Sequence, residues 1–193
     1  TIVSPVFLDE KTEPKLSGFV ASRAHHADVG GMTPGSMPVA NEIYQEGLII
    51  PPVKIVEAGE VNAWVWDLIT SNVRTPVERA GDLRAQIAAN KMGVMRYLAL
   101  FERYGEEETR RYRQELVDYA ERMMQAFILT LPNGTFEFED HLDNNGITDS
   151  PIKIKVGITI NDEDVTVDFT GSDPQQPGSI NAVHAITLSA VYY

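Results

Sequence analysis

Leu83-Arg84-Ala85-Gln86-Ile87-Ala88-Ala89-Asn90-Lys91-Met92-Gly93-Val94-Met95-Arg96-Tyr97-Leu98-Ala99-Leu100-Phe101 decides the fold. Leu83, Ile87, Val94, Leu98 and Phe101 recur at spacings of four, seven, four and three, which is one face of an α-helix. Pro76 suits a first helical turn, and Gly105, after Arg103 and Tyr104, suits a C-terminal cap. A second helix follows at once. Glu106, Glu107 and Glu108 sit in its first turn, where the helix dipole favours anions, and Tyr112, Leu116, Tyr119, Met123 and Phe127 line one face. A helical hairpin over 76–131 is predicted, its apolar faces packed on each other or on a sheet.

Strand signals flank this helical middle. Upstream, Ile2–Leu8 and Leu16–Ala24 are β-prone, and the polar stretch Asp9–Lys15 reads as the turn between them. His25–Pro38 holds Gly30, Gly31, Pro34, Gly35 and Pro38, a density that leaves only a structured loop. Val39–Glu46 reads as a helical turn or short strand, Pro51–Val56 as short and extended, and Asn62–Asn72 as a short helix. Trp64 and Trp66 read as core or interface residues. Downstream, Phe136–Glu139 alternates as a strand. Ile152, Ile154, Val156, Ile158 and Ile160 alternate with polar residues, and Val165–Phe169 returns across the turn at 161–164, making a β-hairpin. Ser179 is a candidate N-cap for a helix over Ile180–Tyr193. Strands, then helices, then strands without internal repeat predict an α+β fold.

Composition narrows the function. The 193 residues are 43% hydrophobic and 23% charged, as in ordinary globular chains of one large or two small domains. With 28 acidic and 16 basic residues the net charge is −12, which argues against nucleic acid or an anionic membrane as partner. No apolar run approaches a membrane span. The chain has no cysteine, which excludes disulfides, thiolate metal sites and thiol nucleophiles. Thr1-Ile2-Val3 reads as mid-strand and the chain stops in the apolar run Leu188–Tyr193, so an internal piece of a longer protein is expected. Nothing reads as a signal peptide, and the expected location is cytoplasmic.

The densest chemistry is Arg23-Ala24-His25-His26-Ala27-Asp28-Val29-Gly30-Gly31. If the preceding strand continues, His26 and Asp28 share one face about 7 Å apart, with His25 on the other. That pair suits a divalent metal, or a base with its orienting carboxylate, and a hydrogen-bonded turn is the simpler alternative. Asp168-Phe169-Thr170-Gly171-Ser172 opens a loop leading to a helix whose N-terminus would suit an anion; a turn in which Asp168 and Thr170 bond local amides is again the simpler alternative. Glu139-Asp140-His141-Leu142-Asp143 reads as an exposed acidic turn that can also attract a cation, and Arg110-Arg111-Tyr112-Arg113 as a solvated helix face.

Several of these segments together resemble the hydantoinase B family. They are Gly18–Gly31, Pro34-Gly35-Ser36-Met37, Glu46–Lys54, Asn72-Val73-Arg74-Thr75-Pro76, Gly81-Asp82-Leu83-Arg84-Ala85-Gln86, Val167–Ser172 with Pro174-Gln175, and Ile180-Asn181-Ala182. That family takes in B subunits of N-methylhydantoinases, the C-terminal half of 5-oxoprolinases and the α subunit of acetone carboxylases. The resemblance implies a single internal fragment of a much longer domain: a strand and loop part over 1–75, the helical hairpin over 76–131, and a β-hairpin with the start of a helix over 132–193.

It also implies an ATP-dependent hydrolase of cyclic amides or imides. A hydantoinase A-type partner binds ATP and phosphorylates the substrate, the B part opens the ring, and the complex is expected to be a homo-oligomer. Acetone carboxylase-like members carry manganese, with ligands resembling a His-x-x-Asp pair upstream of the first strand plus a histidine in the segment matching His25-His26. By strand register that role falls to His26, with Asp28 a second ligand or the group that orients it. The metal would be manganese, zinc or iron. His25, Gly30, Gly31, Asp168 and Thr170 are the expected substrate loop, with Gly30 and Gly31 letting it close. The resemblance leaves two alternatives open, an ATP-dependent ketone carboxylase subunit and a non-catalytic scaffold that docks through its helices.

Overall fold

The computed structural model describes residues 1–8, 13–36 and 38–193, with side-chain detail absent at Ser36. The turn expected over 9–15 falls mostly outside these, as does Met37 of the family-like segment. The fold is α+β, in two compact units: Thr1–Pro38 with Tyr44–Arg113, and Val39–Ile43 with Gln114–Tyr193.

In the first unit, β1 (Ile2–Leu8) and β2 (Lys15–Ser22) form an antiparallel hairpin with a register shift at Val6/Phe7. Val6 is fully buried. Of the short extended segment expected over Pro51–Val56, only Val56 lies in a strand, in the ribbon of β3 (Val56–Glu57) with β4 (Glu60–Val61). Helix α1 (Ala63–Thr70) starts where Asn62 Oδ1 accepts from the amides of Trp64 and Val65 at 3.1 and 3.3 Å. Trp64 is exposed rather than core, while Trp66 lies 5.0 Å beneath the Arg84 guanidinium.

Helix α2 (Pro76–Tyr104) packs on both strands of the first hairpin. Leu83 is buried and Ile87, Val94, Leu98 and Phe101 are half-buried, so the predicted face is the inner one. It is shared with buried Arg79, Gln86 and Asn90. Gln86 Nε2 donates to the Ser22 carbonyl at 3.4 Å, Asn90 Nδ2 to the Val20 carbonyl at 3.3 Å, and the Tyr97 hydroxyl to the Ser17 carbonyl at 3.3 Å. Moving from Gln86 to Tyr97 advances roughly 16 Å at 1.5 Å per helical residue, and Ser22 to Ser17 spans roughly 16 Å at 3.3 Å per strand residue. The matched rises keep helix and strand in step, antiparallel, along that whole length. The two elements approach closely at Gly93, where a Cβ would lie 2.6 Å from Val20 Cγ1.

Helix α3 (Glu106–Ile128) begins in the first unit and continues in the second. Thr109 ties its start to the end of α2 by donating to the carbonyls of Gly105 at 2.7 Å and Leu100 at 3.3 Å. The period predicted for α3 is present, but Tyr112, Leu116, Tyr119, Met123 and Phe127 are each more than half exposed, against the expected packing. Arg113, read as solvated, donates to the Tyr97 hydroxyl at 2.7 Å.

The second unit holds a three-stranded antiparallel sheet in the order β5 (Gly134–Leu142), β6 (Ile152–Asn161), β7 (Asp164–Asp168). Ile152 and Ile160, at the two ends of β6, are buried. The acidic segment at 139–143 lies mostly in exposed β5 rather than in a turn. Helix α4 (His184–Tyr192) starts later than predicted, with Val183 at the cap position instead of Ser179. Among the described residues no helix is long and apolar enough to cross a membrane.

Candidate functional site

Strand β2 ends at Ser22, so the alternation that would carry His26 and Asp28 onto one face does not reach them. The chain turns irregular, and each side chain finds partners from α2 or the segment before it. His25 is exposed; His26 is the histidine built into the fold, its side chain 16% exposed. Its Nε2 lies 2.9 Å from Gln86 Oε1, and its Nδ1 lies 3.8 Å from Asp82 Oδ2. The same Asp82 oxygen is 2.9 Å from Arg79 Nη2. Arg79 is buried, and its Nε and Nη1 have no hydrogen-bond partner among the described residues.

Asp28 is 4% exposed and serves a different structure. Its Oδ2 accepts from the Arg74 amide at 2.6 Å, and its Oδ1 from the Gly30 amide at 3.0 Å and Arg74 Nη1 at 3.1 Å. The Arg74 amide, helped by the Gly30 amide and the Arg74 guanidinium, holds the Asp28 carboxyl below its ordinary value against the opposing effect of burial. The guanidinium also donates to the Gly31 carbonyl at 2.8 Å and the Thr33 carbonyl at 3.2 Å. One arginine thus holds both ends of the glycine loop.

The two glycines are required by contact as well as by conformation. Both have φ of 85°. A Cβ on Gly30 would stand 2.6 Å from the Asn72 carbonyl oxygen, and one on Gly31 2.6 Å from that of Gln45. Backbone hydrogen bonds Met32 N to Gln45 O (2.8 Å) and Leu48 N to Val29 O (2.9 Å) complete the threading. The loop is therefore wedged backbone against backbone.

In the second unit, Asp168 and Thr170 form the local turn that was the simpler alternative. Asp168 Oδ1 accepts from the Thr170 amide at 2.8 Å and its hydroxyl at 2.6 Å, and the hydroxyl first and then the amide lower the Asp168 pKa. Since α4 begins only at His184, Asp168 does not sit at a helix N-terminus.

Among the described residues no group of three or more His, Asp or Glu side chains could hold a metal ion. Both Asp28 oxygens accept hydrogen bonds from Arg74, which ties this carboxylate to the glycine loop. His26 fits as one donor, since a partner on one ring nitrogen is how metal-bound imidazoles are held. A groove of the first unit, about 570 Å³, is lined by Val20, Gly93, Arg96, Tyr97, Leu100 and Tyr104 and shares no residue with the His26 cluster.

Arg74, Asp82 and Gln86 lie in segments that carry the family resemblance but were given no site role from the sequence, and Arg79 lies outside those segments. The available signal was the spacing of Arg79, Asp82, Gln86 and Asn90, a polar stripe with helical period beside Leu83.

The comparisons with known proteins bear on the same 193 residues. The hydantoinase B/oxoprolinase family model matches residues 1–193. An uncharacterized protein of Methanocaldococcus jannaschii is 39% identical over 194 residues, covering 100% of this chain and 33% of that protein. The caprolactamase subunit beta of Pseudomonas jessenii is 34% identical over 179 residues, covering 92% of this chain and 31% of that protein. The crystal structure of the ATP-dependent caprolactamase from Pseudomonas jessenii superposes with a TM-score of 0.86 at 33% identity, over 98% of this chain and 32% of that one. The chain spans about a third of the length of these relatives. With its full length matched, and with the fold shared at this identity, the chain belongs to the hydantoinase B/oxoprolinase family.

Proposed function

We propose that these residues form part of the B subunit of an ATP-dependent hydrolase that opens a cyclic amide or imide ring. The observation that carries the reading is the half-buried His26 imidazole, held at 2.9 Å by Gln86 from the first turns of α2. The likeness to an ATP-dependent caprolactamase supports a lactam-type substrate over a ketone. A ring amide resists water because its nitrogen is a poor leaving group, and coupling to ATP in a hydantoinase A-type partner would activate the carbonyl oxygen. His26 is the ligand this chain contributes to a divalent metal (manganese, zinc or iron), with the other donors outside the described residues. When bound, such a metal polarises a carbonyl or activates water. Gln86 orients His26, while Arg74 and Asp28 fix the path of the chain beyond it. In the first unit His25, exposed beside His26, is left for substrate contacts; in the second unit the Asp168–Thr170 turn is a separate candidate. The assembled enzyme is a cytoplasmic complex of A- and B-type subunits that itself forms a homo-oligomer, and the 193 residues alone are inactive.

The test uses the complete two-subunit enzyme with ATP and a panel of 5-oxoproline, hydantoin and caprolactam. Ring opening coupled to ATP consumption is expected, falling about 10²–10⁴-fold in His26→Ala, with loss of bound metal. Wild-type turnover and metal content in that variant would sink the reading. Bicarbonate-dependent carboxylation of acetone, without ring opening, would replace it by the carboxylase.

A further inference from the structure

We infer that Gln86 is a positioning residue that holds His26 in the Nε2–H tautomer, so that Nδ1 is the ring nitrogen offered to the site. The argument starts at Ser22. Its backbone carbonyl can only accept, so the nearby Gln86 amide, 3.4 Å away, presents its nitrogen there. The other end of the same amide, Oε1, then faces His26 Nε2 at 2.9 Å. An amide oxygen cannot donate, so the hydrogen of that bond belongs to the imidazole. A neutral imidazole carries one N–H, which leaves the lone pair on Nδ1.

The surroundings of Nδ1 agree with that assignment. Asp82 Oδ2 is 3.8 Å away, beyond hydrogen-bond distance, and is engaged by Arg79 at 2.9 Å. Gln86 is 7% exposed whereas the Asp82 side chain is half exposed. The Nε2 side of the ring is therefore sealed into the α2–β2 contact, and the Nδ1 side opens toward the more accessible carboxylate. The ligand class this suits is an electron-pair acceptor, a proton or a divalent cation. Assigning Nδ1 a role in turnover rests on the proposed function; the tautomer itself does not.

The experiment uses the full-length subunit with its partner, grown with ring-¹⁵N histidine. His26 is assigned from the signals lost in His26→Asn, and its tautomer is read from two- and three-bond ¹H–¹⁵N couplings. The expected wild-type pattern is protonated Nε2 with an unprotonated Nδ1. Gln86→Leu should give a mixture of tautomers and a kcat reduced about 10–100-fold with little change in KM. Gln86→Glu, whose carboxylate still accepts, should keep the wild-type pattern. A wild-type Nδ1–H pattern overturns the inference, whatever the variants do. So does an unchanged pattern in a folded Gln86→Leu protein. A tautomer shift without any change in turnover would uphold the inference and count instead against His26 as the working residue.

Discussion

Asp28 sits almost sealed from water yet keeps its charge, because three described donors converge on its two oxygens. Its pKa is lowered on folding, so the unfolded chain binds the proton more readily. The stabilisation is therefore complete well above the ordinary carboxylate value of 3.8 and is lost as pH falls through that value toward the lower folded one. Thermal unfolding of wild type and Asp28→Asn should differ most at neutral pH and converge in acid; a gap that persists at pH 2–3 would contradict this. Arg74→Lys should lower the Tm by on the order of 5 °C at neutral pH, because an ammonium cannot reproduce the fork that joins Asp28 to the Gly31 and Thr33 carbonyls. The sequence marked His26, Asp28 and the two glycines as a group, from composition and family likeness. It could not pair Asp28 with Arg74, 46 residues away, because no local spacing reports such a contact. The alternation argument for His26 and Asp28 stopped with the strand at Ser22.

The seam between α2 and the first hairpin is made by small and polar groups. Asn90 reaches the Ile2 carbonyl at 3.0 Å, Ser4 Oγ at 3.1 Å and the Val20 carbonyl at 3.3 Å, so one amide bridges both strands. Asn90→Ala should cost about 1–3 kcal/mol, read from the urea midpoint, because strand acceptors lose their buried donor. Gly93→Val should cost about 1–3 kcal/mol through overpacking against Val20. A Gly93→Val chain as stable as wild type would mean the helix is free to shift. Most element boundaries were legible: β1 ends where predicted, and α2 and α3 meet at Gly105. What periodicity could not supply was the destination of each face. The α2 stripe binds its strands partly through Gln86 and Asn90, which a hydrophobic pattern assigns to water, and the equally clear α3 stripe is exposed.

The whole chain presents 14360 Å² to solvent. A compact monomer of 21.4 kDa would present about 9,100 Å², and two separate domains of half that mass about 11,000 Å². Exposed apolar side chains are part of it, with Leu116, Met123, Met124 and Phe127 on α3 and Phe136 and Phe138 on β5 each 48% or more exposed. The 193 residues alone should therefore bind the dye ANS strongly and self-associate at micromolar concentration, with broad thermal unfolding. Weak ANS binding with a sharp transition would show that this surface excess has no energetic weight. At this scale the α+β order and the family were legible, because motifs recur from Gly18 to Ala182. Which apolar surfaces stay uncovered was not, since hydrophobic period is the same for a buried face and a waiting one. The glycine wedge has a last consequence, for how the family diversifies. Where Gly30 and Gly31 meet carbonyl oxygens at 2.6 Å, the loop offers no side chain to exchange, and any replacement displaces neighbouring main chain. Relatives that share this fold should therefore share the loop's backbone path, whatever they act on.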